Sequence, residues 1–341
     1  MNLAQFFLIG FDGCTLESSH WLTTSLQQSP PAGVILFDRN VDGTVQNFNS
    51  SAGLQQLTSQ LRTLAASPLL IAVDQEGGKV RRLKEQDGFP SFPSAEELGR
   101  SGPEHCAASA AAMAAMLAEH GINVNLAPVA DLALNPTSPI IARYGRSFGR
   151  DPAWVAACCR AFIEAHRRSG VLCCLKHFPG HGSASGDTHL GFVDITEDWY
   201  ELEMEPYRLL IRDAAAEAVM TAHVVHRGLE PKGLPASLSP CITALLREHV
   251  GFGGLIITDD LQMRAITDCY GYKEAVQRAI LAGADLLIVG NNLNRSPSAL
   301  AEGVAAVQEL LDQGLIAGER VRASLARLSA LHNKLKGEQP W

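Results

Sequence analysis

The stretch VLCCLKHFPGHGSASGDTHLG, residues 171–191, holds the reading of the fold. An apolar run of strand length passes directly into Lys176 and His177, and then into a segment of Pro, Gly, Ser, His and Asp. The run is apolar at successive positions rather than alternate ones, as in a parallel strand covered on both faces. Pro179, Gly180 and Gly182 exclude a helix after it, so residues 179–191 form a loop. Seven runs of the same kind lie outward from it: FFLIGF (6–11), GVILF (33–37), LLIAVD (69–74), NVNLAP (123–128), AVMTAH (218–223), GLIITDD (254–260) and ADLLIVG (284–290). Helical stretches separate them. Residues 104–120 are Ala- and Met-rich and stop at Gly121; Asp151-Pro152 opens the next helix as N-cap and first turn; residues 272–282 close at Gly283. Two more helices, 297–313 and 318–336, follow the last strand, and residues 40–55 read as loop.

Eight strand–helix alternations allow a (β/α)₈ barrel or a doubly wound sheet, and the count favours the barrel. The 341 residues suit one such domain, 1–341, with C-terminal helices at about 297–336. No Pro/Ser-rich linker, repeat or low-complexity tract divides the chain.

The formal net charge of −8 argues against nucleic acid, and no basic run suggests an anionic membrane. No apolar stretch approaches the roughly 20 residues of a membrane helix. The N-terminus MNLAQFFLIGFDG has no basic n-region, its first cation being Arg39, so no signal peptide is expected. The eight cysteines follow neither metal nor redox spacing and read as reduced, buried thiols. A cytoplasmic location is the expectation.

Polar residues gather where these runs end: Asp74, Asp131, Lys176-His177, His223 and Asp259-Asp260. In a barrel those ends converge on one face, which carries the active site. Helix capping explains any one of them, but it has no use for Lys or His. Asp74, in DQEGGKVRR (74–82), can accept hydrogen bonds from vicinal hydroxyls, with Arg82 holding a second polar group. His177 and His181 are four apart but share no helical face, so the spacing of helix-borne zinc ligands is absent. A metal site from His177, His181, Asp187 and His189 remains an alternative, as do loop histidines without a role. Proton transfer is the stronger reading, with Asp187 orienting His189. Asp259 can attack an anomeric carbon, while strand alternation sends Asp260 the other way.

These residues carry a resemblance to the family 3 glycoside hydrolases, in the branch of single-domain bacterial β-N-acetylglucosaminidases. It runs from GVILFDRN near residue 33 to about residue 290. It rests on DQEGGKVRR, GRSFG (145–149), KHFPGHG (176–182), DTH (187–189) and ITDDLQM (257–263). The resemblance implies Asp259 as nucleophile and Asp187–His189 as acid/base dyad. It places sugar contacts on Asp74, Arg82, Arg146, Lys176 and His177, with Asp131 and His223 as weaker candidates. The segment before Arg146 looks slightly longer than in many relatives, which leaves Arg143 as a rival for its place. Lys79 stands where relatives often carry Arg. Many β-glucosidases of the wider family take a Glu acid/base from a second domain; here the loop dyad is expected instead. No cofactor and no protein partner are implied. The implied substrate is terminal, non-reducing β-linked N-acetylglucosamine, on an (anhydro)muropeptide in cell-wall recycling or a chitooligosaccharide. A β-glucosidase or a phosphorylase of the same family, a metal-dependent hydrolase and a non-catalytic sugar-binding barrel stay open as alternatives.

Overall fold

All eight apolar runs form strands in the computed structural model, which describes residues 1–337. In chain order they are Phe7–Ile9, Gly33–Ile35, Leu70–Val73, Val124–Asn125, Leu172–Phe178, Ala218–Thr221, Leu255–Thr258 and Leu287–Val289. Each pairs in parallel with its neighbours in sequence, and the first pairs with the eighth. A parallel bridge from Ile257 to Leu286 joins the seventh to the eighth and closes the barrel.

The two faces of each strand enter two separate apolar clusters, which is why the runs are continuous. Leu8, Ile35, Ala72, Leu126, Cys174, Met220, Ile257 and Ile288 fill the interior. Phe7, Val34, Ile71, Cys173, Val219, Ile256 and Leu287 face the surrounding helices. Filling of this kind makes the barrel a packed core with a floor, not a pore.

Local sequence explains the helix ends. Asp151 accepts from the Trp154 amide at 2.8 Å and caps Pro152–Arg168. Pro103 sits at the first position of Pro103–Glu119, where its missing N–H costs nothing. The helix Tyr272–Ala282 ends on Gly283, whose φ is +108°. The expected loop 40–55 is half corrected: Ser51–Leu64 is a helix, because Ser50 caps it through the Gly53 amide. Its Leu54, Leu57 and Leu61 then recur on one buried face.

The last helix, Gly318–Leu335, has a specific place. Its Leu328 and Leu331 belong to the barrel-interior cluster, next to Leu70 and Leu172 from the beginnings of strands three and five. Arg327 and Arg247 bind Asp285 just before the eighth strand. This helix therefore plugs the N-terminal end of the barrel and leaves the other end open. Among the described residues no helix is long and apolar enough to cross a membrane.

Candidate active site

The open end of the barrel is built on strand parity. Positions 70 and 72, 172 and 174, and 255 and 257 point inward. Two residues further on, the same parity places Asp74, Lys176 and Asp259 over the barrel floor. These three, with Glu76, Arg82, Arg146, His177, His181 and His189, line one cavity of about 220 Å³. Asp74, Arg82, His189 and Asp259 also line an adjoining recess with Met220, Met263 and Leu293. Asp260 has the opposite parity: its Oδ1 accepts from the Gln262 amide at 2.9 Å and from Gly290 at 3.2 Å. It holds the turn after the seventh strand, as the alternation predicts.

The floor is an ion network. Lys176 Nζ lies 2.9 Å from Asp74 Oδ1 and 2.7 Å from Glu76 Oε1. Arg82 donates to Asp74 Oδ2 at 3.1 Å. Arg146 grips Glu76 with two bonds of 2.8 Å. Fully desolvated charges are tolerated only when paired in this way. Burial pushes the Asp74 carboxyl up, but Lys176 and Arg82 outweigh it and hold the group well below the carboxylate range. Burial likewise raises Glu76, and Arg146 and Lys176 bring it down. For Lys176, burial lowers the ammonium, yet Asp74 and Glu76 carry it above its ordinary value. Charges and orientations are thus fixed before any ligand arrives, an arrangement suited to hydroxyl groups.

Two of the expected contacts stand behind the wall. Asp131 is fully buried and accepts from the amides of His177 and His181, at 3.1 and 2.9 Å, and from His177 Nδ1 at 2.6 Å. Arg146 Nη2 lies 3.3 Å from His177 Nε2. A guanidinium can only donate, so Nε2 accepts and Nδ1 carries the proton. Asp131 is therefore a support for His177, not a lining group. His223 lies between the Ser237 hydroxyl, at 2.7 Å, and the Asp260 carbonyl, at 2.8 Å. Burial lowers its imidazole, and it braces the Asp259–Asp260 backbone from outside the cavity. That corrects its reading as a strand-end contact: positions 219, 221 and 223 share the outward parity.

The structure brings Arg146 into the cavity wall, whereas Arg143 is exposed and does not line it. Glu76 and His181 line it too; the sequence reading gave Glu76 no role and considered His181 only as a ligand of the alternative metal site. Glu76 directly precedes the Gly77-Gly78 pair of a motif already quoted, and its two-residue offset from Asp74 was the available signal. Neither ring nitrogen of His181 has a hydrogen-bond partner among the described residues, and burial lowers its imidazole to about 4.

Asp259 closes the floor. Its Oδ1 accepts from the Asp260 amide at 2.8 Å. Burial raises the carboxyl, but His223, His177 and His189 and that amide outweigh it, so the group stays ionised below the usual carboxylate range. At the rim, His189 Nδ1 lies 2.9 Å from Asp187 Oδ1, and its side chain is 55% exposed. An ionised carboxylate at depth and a carboxylate-bound imidazole at the mouth thus face one cavity.

The loop bearing His189 is pinned at its root. Gly182 approaches Leu132 so closely that a Cβ would lie 1.7 Å from its carbonyl oxygen. Glu203, fully buried, accepts from the Gly182 amide at 2.8 Å and the Ser183 hydroxyl at 2.5 Å. Burial pushes its carboxyl up to about 7 despite those bonds. The folded state therefore favours protonated Glu203. Its stabilising contribution is complete below pH 4.5 and is lost as pH rises through 7, amounting to about 3 kcal/mol. Glu203→Gln should remove that dependence. Urea midpoints at pH 5 and pH 8 are expected to show the wild type losing stability relative to the variant at the higher pH. An unchanged difference would show Glu203 ionised in the fold throughout.

Among the described residues no group of three or more His, Cys, Asp or Glu is arranged to hold a metal ion.

Residues 3–331 match the family described as glycosyl hydrolase family 3 N terminal domain. The chain is 35% identical over 292 residues to a beta-hexosaminidase of Tolumonas auensis, covering 84% of this chain and 82% of that one. It is 34% identical over 338 residues to a beta-hexosaminidase of Xylella fastidiosa, covering 93% and 94%. A family 3 beta-N-acetylglucosaminidase from a Paenibacillus species superposes with a TM-score of 0.89 at 32% identity, over all of this chain and 63% of that one. A beta-N-acetylhexosaminidase from Beutenbergia cavernae does so at 0.82 and 32% identity, over 97% of both. With a closed parallel barrel, a strand-seven carboxylate and a loop Asp-x-His at one cavity, the chain belongs to glycosyl hydrolase family 3.

Proposed function

We propose that the protein is a retaining exo-β-N-acetylglucosaminidase that removes terminal β-linked N-acetylglucosamine through a covalent glycosyl–Asp259 intermediate. The observation that carries the reading is the pairing of ionised Asp259 on the floor with the Asp187–His189 pair at the rim of the same cavity. Asp259 attacks the anomeric carbon while His189 gives its proton to the leaving oxygen. Water then enters, His189 takes a proton from it, and the sugar leaves with its β configuration restored. Asp74, Lys176 and His177 hold the sugar hydroxyls, with Arg82 and Arg146 closing around the terminal residue. The chemistry needs no cofactor. The N-acetyl preference is supported by the names that the relatives carry. Cell-wall recycling in the cytoplasm, on muropeptides, is the role this specificity suits.

Initial rates on aryl β-N-acetylglucosaminide and aryl β-glucoside test the reading. Turnover of the first in large excess, with β-N-acetylglucosamine as first product by NMR, is expected. Preference for the glucoside, or a glycosyl phosphate as sole product in phosphate buffer, would replace it with one of the family's other activities.

Asp74→Ala should cost about a hundredfold or more in kcat/KM, because two charge-assisted bonds to hydroxyls are lost at about 1.5–3 kcal/mol each. Lys176 keeps Glu76 at 2.7 Å, so the fold should survive. Steady-state kinetics on the aryl glycoside check this, and unchanged values would reduce Asp74 to a partner for Lys176.

A further inference from the structure

The cavity has four cations in its wall, and three of them are neutralised. Arg82, Arg146 and Lys176 each contact a carboxylate within 3.1 Å. Lys79 does not. Its ammonium stands over the Tyr144 ring, 5.1 Å from the centroid, and it has no ion pair among the described residues. It is also exposed, while Lys176 is 2% and Arg146 9% exposed. Lys79 therefore sits at the rim, where the others form the floor.

Its position is built, not incidental. Lys79 lies in the turn of the antiparallel hairpin Gln75–Gly77/Val80–Arg81, which joins floor residues Asp74 and Glu76 to Arg82. Gly77 and Gly78 in that turn have φ of +93° and +56°, and a Cβ on either would strike Pro93 or Ser94. The hairpin is thus clamped against a neighbouring segment. Tyr144, 43% exposed, is two residues before Arg146. The ring comes from one arm of the site and the ammonium from another, each tied to a floor contact. A cation over an aromatic face is held in place yet keeps N–H groups for a further acceptor.

In an exo-acting pocket the terminal sugar occupies the floor, and only the aglycone extends past the rim. We propose that Lys79, held over Tyr144, is a specificity-determining residue that binds a carboxylate on the aglycone. The site would then favour a leaving sugar that carries an acidic substituent over a neutral one. This rests on the glycosidase reading above, and the test separates the two.

Three disaccharides with the same terminal N-acetylglucosamine form the test: chitobiose, the β-1,4 conjugate of N-acetylmuramic acid with its lactyl carboxylate free, and that conjugate as its lactyl methyl amide. The wild type should prefer the free acid to the amide by about three- to tenfold in kcat/KM at low salt, the range of a partly exposed ion pair. That preference should shrink in 0.5 M NaCl. Lys79→Gln should bring it to about one while leaving chitobiose turnover as it was. Lys79→Glu should invert it, and Lys79→Arg should keep it. A wild type indifferent to the charge, or a Lys79→Gln variant slowed equally on all three, would overturn the assignment. A wild type that turns over none of the three, nor the aryl glycoside, would instead count against the glycosidase reading.

Discussion

Asp259→Ala is expected to fold with near wild-type thermal stability and to lose turnover by about 10⁴-fold or more. Removing a nucleophile that forms a covalent intermediate abolishes the route, not merely a contact, and such losses reach about 10⁶ elsewhere. No neighbour is placed to substitute. Asp260 faces away into the amides of Gln262 and Gly290, and Asp74 is taken by Lys176 and Arg82. Burial pushes the Asp260 carboxyl up to about 7, which makes it a still poorer nucleophile under acid conditions. Any loss of stability should be small because, among the described residues, Asp259 accepts a hydrogen bond only from the neighbouring Asp260 amide and anchors no remote segment. Steady-state rates together with a melting curve check both halves. Activity within tenfold of the wild type would place the chemistry elsewhere.

His189→Ala is expected to divide its effect by leaving group. A natural disaccharide leaves as an alkoxide unless it is protonated, so loss of the acid should slow it by about 10²- to 10⁴-fold. A dinitrophenyl glycoside needs no proton, and its first step should be nearly unaffected; the second step, which needs a base for water, becomes limiting. Azide attacks without a base, so it should raise turnover of the activated substrate and leave a β-glycosyl azide. The side chain is 55% exposed and among the described residues its hydrogen-bond partner is Asp187, two residues away, so the variant should fold. A loop of this kind can close over the substrate during the cycle. Equal slowing on both substrates, with no azide effect, would make His189 structural and shift attention to Glu76 and His181.

The pH dependence of the floor follows from the same geometry. Asp259, Asp74 and Glu76 have carboxyls held below their ordinary values. For such groups the contribution to stability is present above the unfolded value and is lost as pH falls through the folded one. The cavity floor should therefore keep its charges, and the stability they contribute, at mildly acidic pH, with that contribution eroding only below about pH 4, which urea midpoints measured across that range check; a loss of turnover at higher pH would belong to the His189 base and not to the floor.

What the sequence could and could not say divides on parity and on capping. The eight strands were legible because both of their faces are buried, which leaves no polar interruption except at the functional ends. Asp259 and Asp260 were separable for the same reason, since alternation carries inward position 257 to 259. That rule applied to strand six would have turned His223 outward, and its use as a strand-end candidate overlooked this. His177 escapes the rule: the pairing of strands five and six shifts register between Leu175 and Phe178, so its ring turns toward Arg146 and Asp131. The helix at Ser51 was hidden by polar residues and Gly53, with its start marked only by Ser50. Glu203 was not legible at all. It comes from a 3₁₀ turn, twenty residues beyond the Ser183 that it holds at the loop's root, and no local pattern records that contact.

A covalent sugar on Asp259 is tested most directly by trapping. The wild type would be incubated with a 5-fluoro N-acetylglucosaminyl fluoride, digested, and its peptides sequenced by mass spectrometry. The adduct is predicted on the peptide containing 255–264, at Asp259, with activity returning as the adduct hydrolyses. A label on Asp260 or Asp74, or turnover of the probe with an α-configured product and no adduct at all, would contradict the account.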